Sequence, residues 1–284
     1  MTADADSTVP RLTLWRRLER ARIESGSSQS QVAEALGWAL PDFLLVEAVV
    51  DGLDDGRLPA LLDYHGIAGE VRDLYQAVQA LSRRGVSLSR EIRLVVEYER
   101  VASTIRTFEP FFIPGLLQTR AYAEAALKLF ASPADVGPLV EARLARQEIF
   151  GREDVPDMVF LIDESTLQRW TGAGREGSDV MRGQLDHLRQ VARNPHVRIQ
   201  VVPFAAGLHA GMKGPFVILE FADREQSDLL YLENAEGDTV HAGSADVRAH
   251  LERFRNLSDS AAPTEDLYGF LDRALENLNA GRGS

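Results

Sequence analysis

Residues 26–52 read GSSQSQVAEALGWALPDFLLVEAVVDG, and this stretch decides how the chain is organised. Gly26 interrupts an amphipathic run in which Leu12, Leu14, Leu18 and Ile23 share a face. Ser28 stands three residues before Gln31, the spacing of a capping box. In that motif the hydroxyl receives a first-turn amide and the Gln side chain returns a bond to the cap. A short helix over 29–36 follows and stops at Gly37. After residues 38–40 a third helix starts near Pro41, a favoured first-turn residue, and Asp51-Gly52 ends it. Two short helices joined by a tight link, with another helix before them, form a helix-turn-helix arrangement. Further helices are predicted over 57–64 and 71–82, so the unit spans residues 11–82.

The charge of this unit conflicts with its architecture. Residues 23–56 contain no Lys or Arg but seven acids: Glu24, Glu34, Asp42, Glu47, Asp51, Asp54 and Asp55. Most affinity for a duplex comes from cations that neutralise phosphates. Base edges are read by Arg, Lys, Asn, Gln, Ser or Thr, and none occurs from 39 to 50. The segment from Gly26 to Trp38 nevertheless resembles the xenobiotic-response-element (XRE) family of helix-turn-helix regulators. The resemblance makes Ser28 the cap, brings Gln29 and Gln31 toward the DNA backbone or bases, and matches Glu47 to a Glu usual late in the family's recognition helix. If DNA binding is retained, Ser28, Gln29 and Gln31 would carry it, with Arg16 and Arg20 of the first helix as local cations. The third helix departs from the family pattern of small polar residues, a Lys and an Arg. It carries Ala39, Leu40, Pro41, Asp42, Phe43, Leu44 and Leu45. The expectation is a scaffold that does not bind DNA through this helix. Leu44 and Leu45 do not both fit the unit's own core beside Phe43 and Val46. At least one is expected to pack on the second domain or across a homodimer.

Composition narrows the function classes. The chain has 284 residues, 45% of them apolar, enough for two compact domains. Its net charge of −12 disfavours general binding to nucleic acid or anionic membrane. With no Cys, disulfides, thiol nucleophiles and Cys-based zinc sites are excluded. The six His follow no metal-ligand spacing, so no metal or cofactor is expected. Residues 1–10 carry no signal pattern, and the most apolar run, 36–50, contains Asp42 and Glu47. A cytoplasmic protein without membrane contact is the expectation.

Residues 86–280 read as a helical linker followed by an α/β domain suited to ligand binding. A long helix is predicted over 88–108, from Ile92, Val95, Val96, Val101 and Ile105. Pro110 and Pro114 then impose extended backbone, and Thr119 caps the next helix. Strands are expected at 158–162, 197–202, 216–221 and 229–233. Helices are expected at 138–150, 180–192, 245–257 and 264–278. The fold class is α+β: an all-α N-terminal unit and an α/β half with a small sheet of about four strands.

This half resembles a domain of unknown function that follows a helix-turn-helix in actinobacterial regulators. The resemblance rests on Ile113-Pro114-Gly115-Leu116-Leu117-Gln118-Thr119, Tyr122-Ala123, Arg143, Arg146-Gln147, Asp163-Glu164 and Gln184-Leu185. His187-Leu188, Val201-Val202-Pro203-Phe204, Gly207, His209, Gly214, Phe216 and Tyr231-Leu232-Glu233 complete it. It implies an effector-sensing or partner-binding half.

Chemistry is sought at strand ends, where sheets of this type place ligands. His209, in a glycine-punctuated loop, and the strand-end acids Glu164 and Glu233 are the candidate proton-transfer groups. Asp163, Arg169, Tyr231 and Gln118 are the candidate ligand contacts. The competing reading is structural: Asp163 caps a helix at Ser165, Glu164 pairs with Arg169, and the loop His is solvated. The expected function is a regulator-like protein that has lost DNA binding and binds a small organic molecule in this half. Whether it also converts that molecule is left open; if it does, the chemistry expected is cofactor-independent acid/base catalysis of cyclase, isomerase or dehydratase type. The alternative is an XRE-family regulator that binds DNA as a dimer under effector control.

Overall fold

The structure, a computed structural model, describes residues 5–48, 56–67, 90–172, 174–222, 227–234, 237–243 and 245–280. The expected helix over 71–82, the end of the third helix at Asp51-Gly52 and the boundary near residue 84 lie outside them. Helix α1 (Ala5–Glu24) leads into α2 (Gln29–Leu36), α3 (Leu40–Glu47) and α4 (Arg57–Tyr64). The capping box is present: Ser28 Oγ accepts from Gln31 N at 3.2 Å, and Gln31 Oε1 accepts from Ser28 N at 2.8 Å. Gly37 closes α2 at φ +70°, a conformation that a side chain at that position would oppose.

The second half carries a six-stranded sheet of order β3-β2-β1-β4-β5-β6. Its strands are β1 (Thr104–Glu109), β2 (Asp157–Asp163), β3 (Val197–Val202), β4 (Phe216–Glu220), β5 (Leu229–Leu232) and β6 (Thr239–Ala242). The first three pair in parallel, and β4, β5 and β6 add on antiparallel. The class is α+β, with two more strands than the sequence pattern suggested. One is β1. The helix expected over 88–108 is a shorter helix, α5 (Arg90–Glu99), followed by this strand. The helical spacing of Val101 and Ile105 coincides with a run, Thr104-Ile105-Arg106-Thr107-Phe108, that pairs with β2 on one side and β4 on the other. Two ladders of non-local hydrogen bonds override the local period. The other is β6, four partly exposed residues beside the expected turn at Gly237-Asp238.

The parallel strands are joined by α6 (Arg120–Leu127), α7 (Pro133–Ala145), α8 (Glu164–Gln168) and α9 (Gly174–Val191). The expected helix over 138–150 starts earlier, at Pro133, and ends in a 3-10 turn over Arg146–Gly151. Thr119 Oγ1 accepts from Tyr122 N at 3.2 Å and caps α6 as expected. Helices α10 (Ala245–Ser260) and α11 (Leu267–Ala280) close the chain. Alternation along the strands separates two faces. Phe108, Val159, Leu161, Phe216, Ile218 and Leu230 meet Val247, Phe254 and Leu257 of α10. The other face, with Ile105, Phe160, Ile199, Leu219 and Tyr231, belongs to a larger core that also contains Leu14, Leu18, Val32, Phe43 and Leu61. One apolar core therefore runs from the N-terminal helices into the sheet.

Two further contacts fix that junction. Trp15 and Tyr98 lie 5.4 Å apart between ring centroids, and Tyr98 meets Phe221 edge-on at 5.6 Å. Gln29 Oε1 accepts from Ser227 N at 3.1 Å, while its amide donates to Glu47 Oε2 at 3.0 Å. Glu47 also receives Arg22 Nε at 2.6 Å, and all three side chains are buried. Leu44 and Leu45 are both buried, and Leu45 sits with Leu94, Thr239 and Val240 in a gap between α3, α5 and β6. No described helix is long and apolar enough to cross a membrane.

Candidate functional site

At the carboxyl end of β1 the chain leaves the sheet at Glu109 and crosses Pro110, Phe111 and Phe112 to the 3-10 turn Gly115–Leu117. Buried amide side chains hold this crossing in place, because its backbone groups lie outside any ladder. Gln118 Nε2 donates to Ile113 O at 2.6 Å, and Gln184 Nε2 donates to Leu117 O at 2.7 Å. Gln147 Nε2 donates to Gln118 O at 2.6 Å, and the Tyr122 hydroxyl accepts from Ile113 N at 3.2 Å. Beneath the crossing lies a cleft of 340 Å³. Ile92, Val95, Phe112, Leu127, Phe130 and Leu139 form its apolar wall. Its polar lining is Glu99, Glu109, Gln118, Arg143, Arg146 and Tyr231, with Glu233 and Asp238 at the β5–β6 side.

The two guanidinium groups differ. Arg146 is clamped on Glu99 through Nε (3.0 Å) and Nη2 (2.6 Å). Arg143 donates Nη1 to Gln118 Oε1 at 2.8 Å and forms no ion pair with a described residue. Burial and the neighbouring Arg146 lower its pKa. Glu109 Oε1 accepts from Phe111 N (3.0 Å) and Phe112 N (3.3 Å). Burial pushes its carboxyl up to about 7; the two amides and Arg143 oppose that shift and Glu233 adds to it. Glu233 stands at the rim, open to solvent on one side and crowded by protein on the other. Burial and then Asp238 raise its pKa, against Arg143 and Arg146. The Tyr231 hydroxyl is raised by burial and by Glu233 and Asp238. A carboxyl group that titrates near neutrality beside a half-buried Arg and a Tyr can give or take a proton on a bound molecule.

The expected site residues fall into separate places. Gln118, Tyr231 and Glu233 line the cleft. His209 and Asp163 meet each other instead, Nε2 to Oδ2 at 3.2 Å, on the opposite face of the sheet. There His209 packs edge-on against Phe108 at 6.1 Å. The grouping of His209 with Glu233 is therefore corrected: strand alternation puts them on different sides of β1 and β5. Asp163 also caps α8 through Ser165 N at 2.8 Å. Glu164 accepts from Phe204 N at 2.8 Å, so it anchors the loop after β3 rather than pairing with Arg169. Arg169 lies outside the cleft lining, although its charge acts on Tyr122. His209 is buried rather than solvated, and Gly211 permits this: a Cβ there would stand 2.2 Å from Phe108 Cζ. Glu109, Arg143, Arg146 and Asp238 were not among the expected site residues. Arg143 and Arg146 stood in the motif but without a role, and Glu109 was hidden by the helical reading of its strand.

Among the residues assigned to DNA, Ser28 and Gln31 cap α2, and Arg20 pairs with Glu24 at 2.8 Å on the surface. Gln29 is 1% exposed with both ends of its amide engaged, which corrects its expected approach to bases. The Arg16 side chain lies outside the described residues.

Residues 92–273 match the family model described as Domain of unknown function (DUF5753). The chain belongs to this family. The DUF5753 match begins at Ile92, on the cleft wall, and takes in every residue that lines the cleft. Comparison with curated proteins and with solved structures gives no match.

Proposed function

We propose that this protein binds a small organic molecule in the cleft at the end of β1. In this reading, the N-terminal helices are a scaffold derived from an XRE-type regulator that no longer engages DNA through α3. The observation that carries it is the cleft itself: an apolar wall with a few convergent polar groups of perturbed pKa, at the carboxyl end of a central strand. The volume of 340 Å³ suits a molecule of modest size. Loss of DNA binding is supported by the burial of every α3 residue from Phe43 to Glu47. A reading helix needs an exposed face bearing donors and cations, and here the first turn offers only Leu40, Pro41 and Asp42. Glu109 equips the same cleft for cofactor-independent acid/base conversion of what it binds.

The test is thermal denaturation of the full chain against a mixed set of small acids, amines and neutral compounds. A ligand at one hundred times its dissociation constant adds roughly 2.7 kcal/mol to the native state. The expected result is at least one stabilising compound whose effect disappears in Leu139→Trp, which fills the cleft from its partly exposed wall. If no compound of any class stabilises the wild type, the reading fails.

A second reading, effector-controlled DNA binding, is favoured by one observation: Asp238 borders both the cleft and the gap beneath α3. Occupancy of the cleft would then loosen α3 from β6. Sequence-selective retardation of DNA at low salt, appearing with ligand, would establish this reading; retardation without ligand would refute the loss of DNA binding.

A further inference from the structure

The charges around the cleft are unbalanced. Its lining holds four carboxylates, Glu99, Glu109, Glu233 and Asp238, against two guanidinium groups, Arg143 and Arg146. Arg146 and Glu99 neutralise each other through two hydrogen bonds. Asp238 is hydrogen-bonded to the Tyr231 hydroxyl. Glu109 and Glu233 thus share Arg143 as their only remaining cation in the lining, and neither forms an ion pair with it. Glu109 is held by amides through Oε1 alone, and no described group bonds its Oε2. Glu233 forms no hydrogen bond with a described residue. Beside these acids stand Phe112 and Phe130, edge to face at 5.8 Å, and the aliphatic wall of α5 and α6.

A largely buried carboxylate without a counter-ion, such as Glu109, is costly, and a ligand that brings a cation removes the cost, while Glu233 at the open rim adds negative charge to the entrance. An anion would relieve Arg143 but would face two acids. A neutral molecule would relieve neither. We propose that the cleft takes a small apolar amine: one ammonium group, received by Glu109 and Glu233, on an aromatic or aliphatic body that lies against Phe112, Phe130 and Leu139. This rests on the small-molecule reading above and narrows it to one ligand class.

Binding by such a cation is linked to protons. Glu109 is faced by Glu233 from the end of β5, by Arg143 from α7 and by the Tyr122 hydroxyl from α6. Tyr231, Asp238 and the Arg146–Glu99 pair complete its charged surroundings. With its carboxyl near 7, Glu109 is mostly protonated at pH 6 and mostly ionised at pH 8. The ammonium selects the ionised form, so affinity rises about tenfold across that interval. An aliphatic ammonium resembles that of Lys and keeps its charge throughout.

The experiment is isothermal titration of the full chain with three isosteres: 3-phenylpropylamine, 3-phenylpropan-1-ol and 3-phenylpropanoate. The amine is expected to bind at least tenfold more tightly than either of the others. Glu109→Gln and Glu233→Gln are each expected to weaken it about tenfold, with melting temperatures reported alongside to show that both variants fold. Gln at 109 keeps an acceptor for the Phe111 and Phe112 amides. The rise in affinity from pH 6 to 8 should vanish in Glu109→Gln. Tighter binding of the propanoate, equal binding of alcohol and amine, or full affinity in both Gln variants would overturn the assignment. If none of the three binds while another class in the mixed set stabilises the protein, the amine class is wrong and the cleft reading stands. If nothing in that set stabilises it, both fall.

Discussion

Arg22 and Glu47 bring two opposite charges into the interior, where each has traded water for the other, Glu47 also for the Gln29 amide and Arg22 also for the Ser27 carbonyl. Replacing one partner leaves the second buried without compensation, which costs about 3–5 kcal/mol. Arg22→Met is therefore expected to lower the unfolding free energy obtained from urea titration by that much. A loss below about 1 kcal/mol would mean that water reaches Glu47. Gly211 is similarly constrained: the Cβ of Gly211→Ala would meet the Phe108 ring. Overpacking of this kind costs about 1–3 kcal/mol, and an unchanged melting temperature would show that the loop yields freely. Glu109 gives a prediction with a sign. Its folded pKa of about 7 lies above the ordinary 4.5, so the native state binds the proton more tightly than the unfolded chain. That contribution to stability is complete below the ordinary value and is lost as pH rises through the folded one. Urea titrations of wild type and Glu109→Gln should thus diverge as pH rises from 4.5 to 7, with the wild type losing ground. Parallel curves would place the carboxyl in water.

At the scale of elements, the parts legible in the sequence were those fixed by neighbours in the chain. Ser28 with Gln31, Thr119 and Asp163 each bond an amide two or three residues on, so their caps could be read locally. Ser28→Ala should cost about 1 kcal/mol in thermal denaturation, and no cost would mean that Gln31 alone holds the turn. Strand β1 was not legible because the ladders that make it a strand come from residues 157–162 and 216–220. The cleft suffered for the same reason. Gln118, Tyr231 and Glu233 were found through motif and strand ends, whereas Glu109 owes its raised pKa first to burial and then to Glu233, far along the chain. The character of α3 was legible in part. Its lack of cations was plain from composition, but its position against β6 and α5 depends on a strand that the pattern did not reveal.

For the molecule as a whole, the continuous core decides how it comes apart. Leu14, Phe43 and Leu61 share one apolar cluster with Ile105, Phe160 and Ile199, so the N-terminal helices and the sheet are expected to melt together. Calorimetry should give one transition whose van't Hoff and calorimetric enthalpies agree; two resolved transitions would show that the halves are independent. The gap beneath α3 has a practical corollary. Leu94 and Val240 are covered from outside the matched segment 92–273, by Leu45. A fragment trimmed to that segment would carry a bare greasy flank beside an outermost strand, an invitation to stick to its own copies. The recognisable portion of this chain is thus smaller than the portion that behaves well in a test tube.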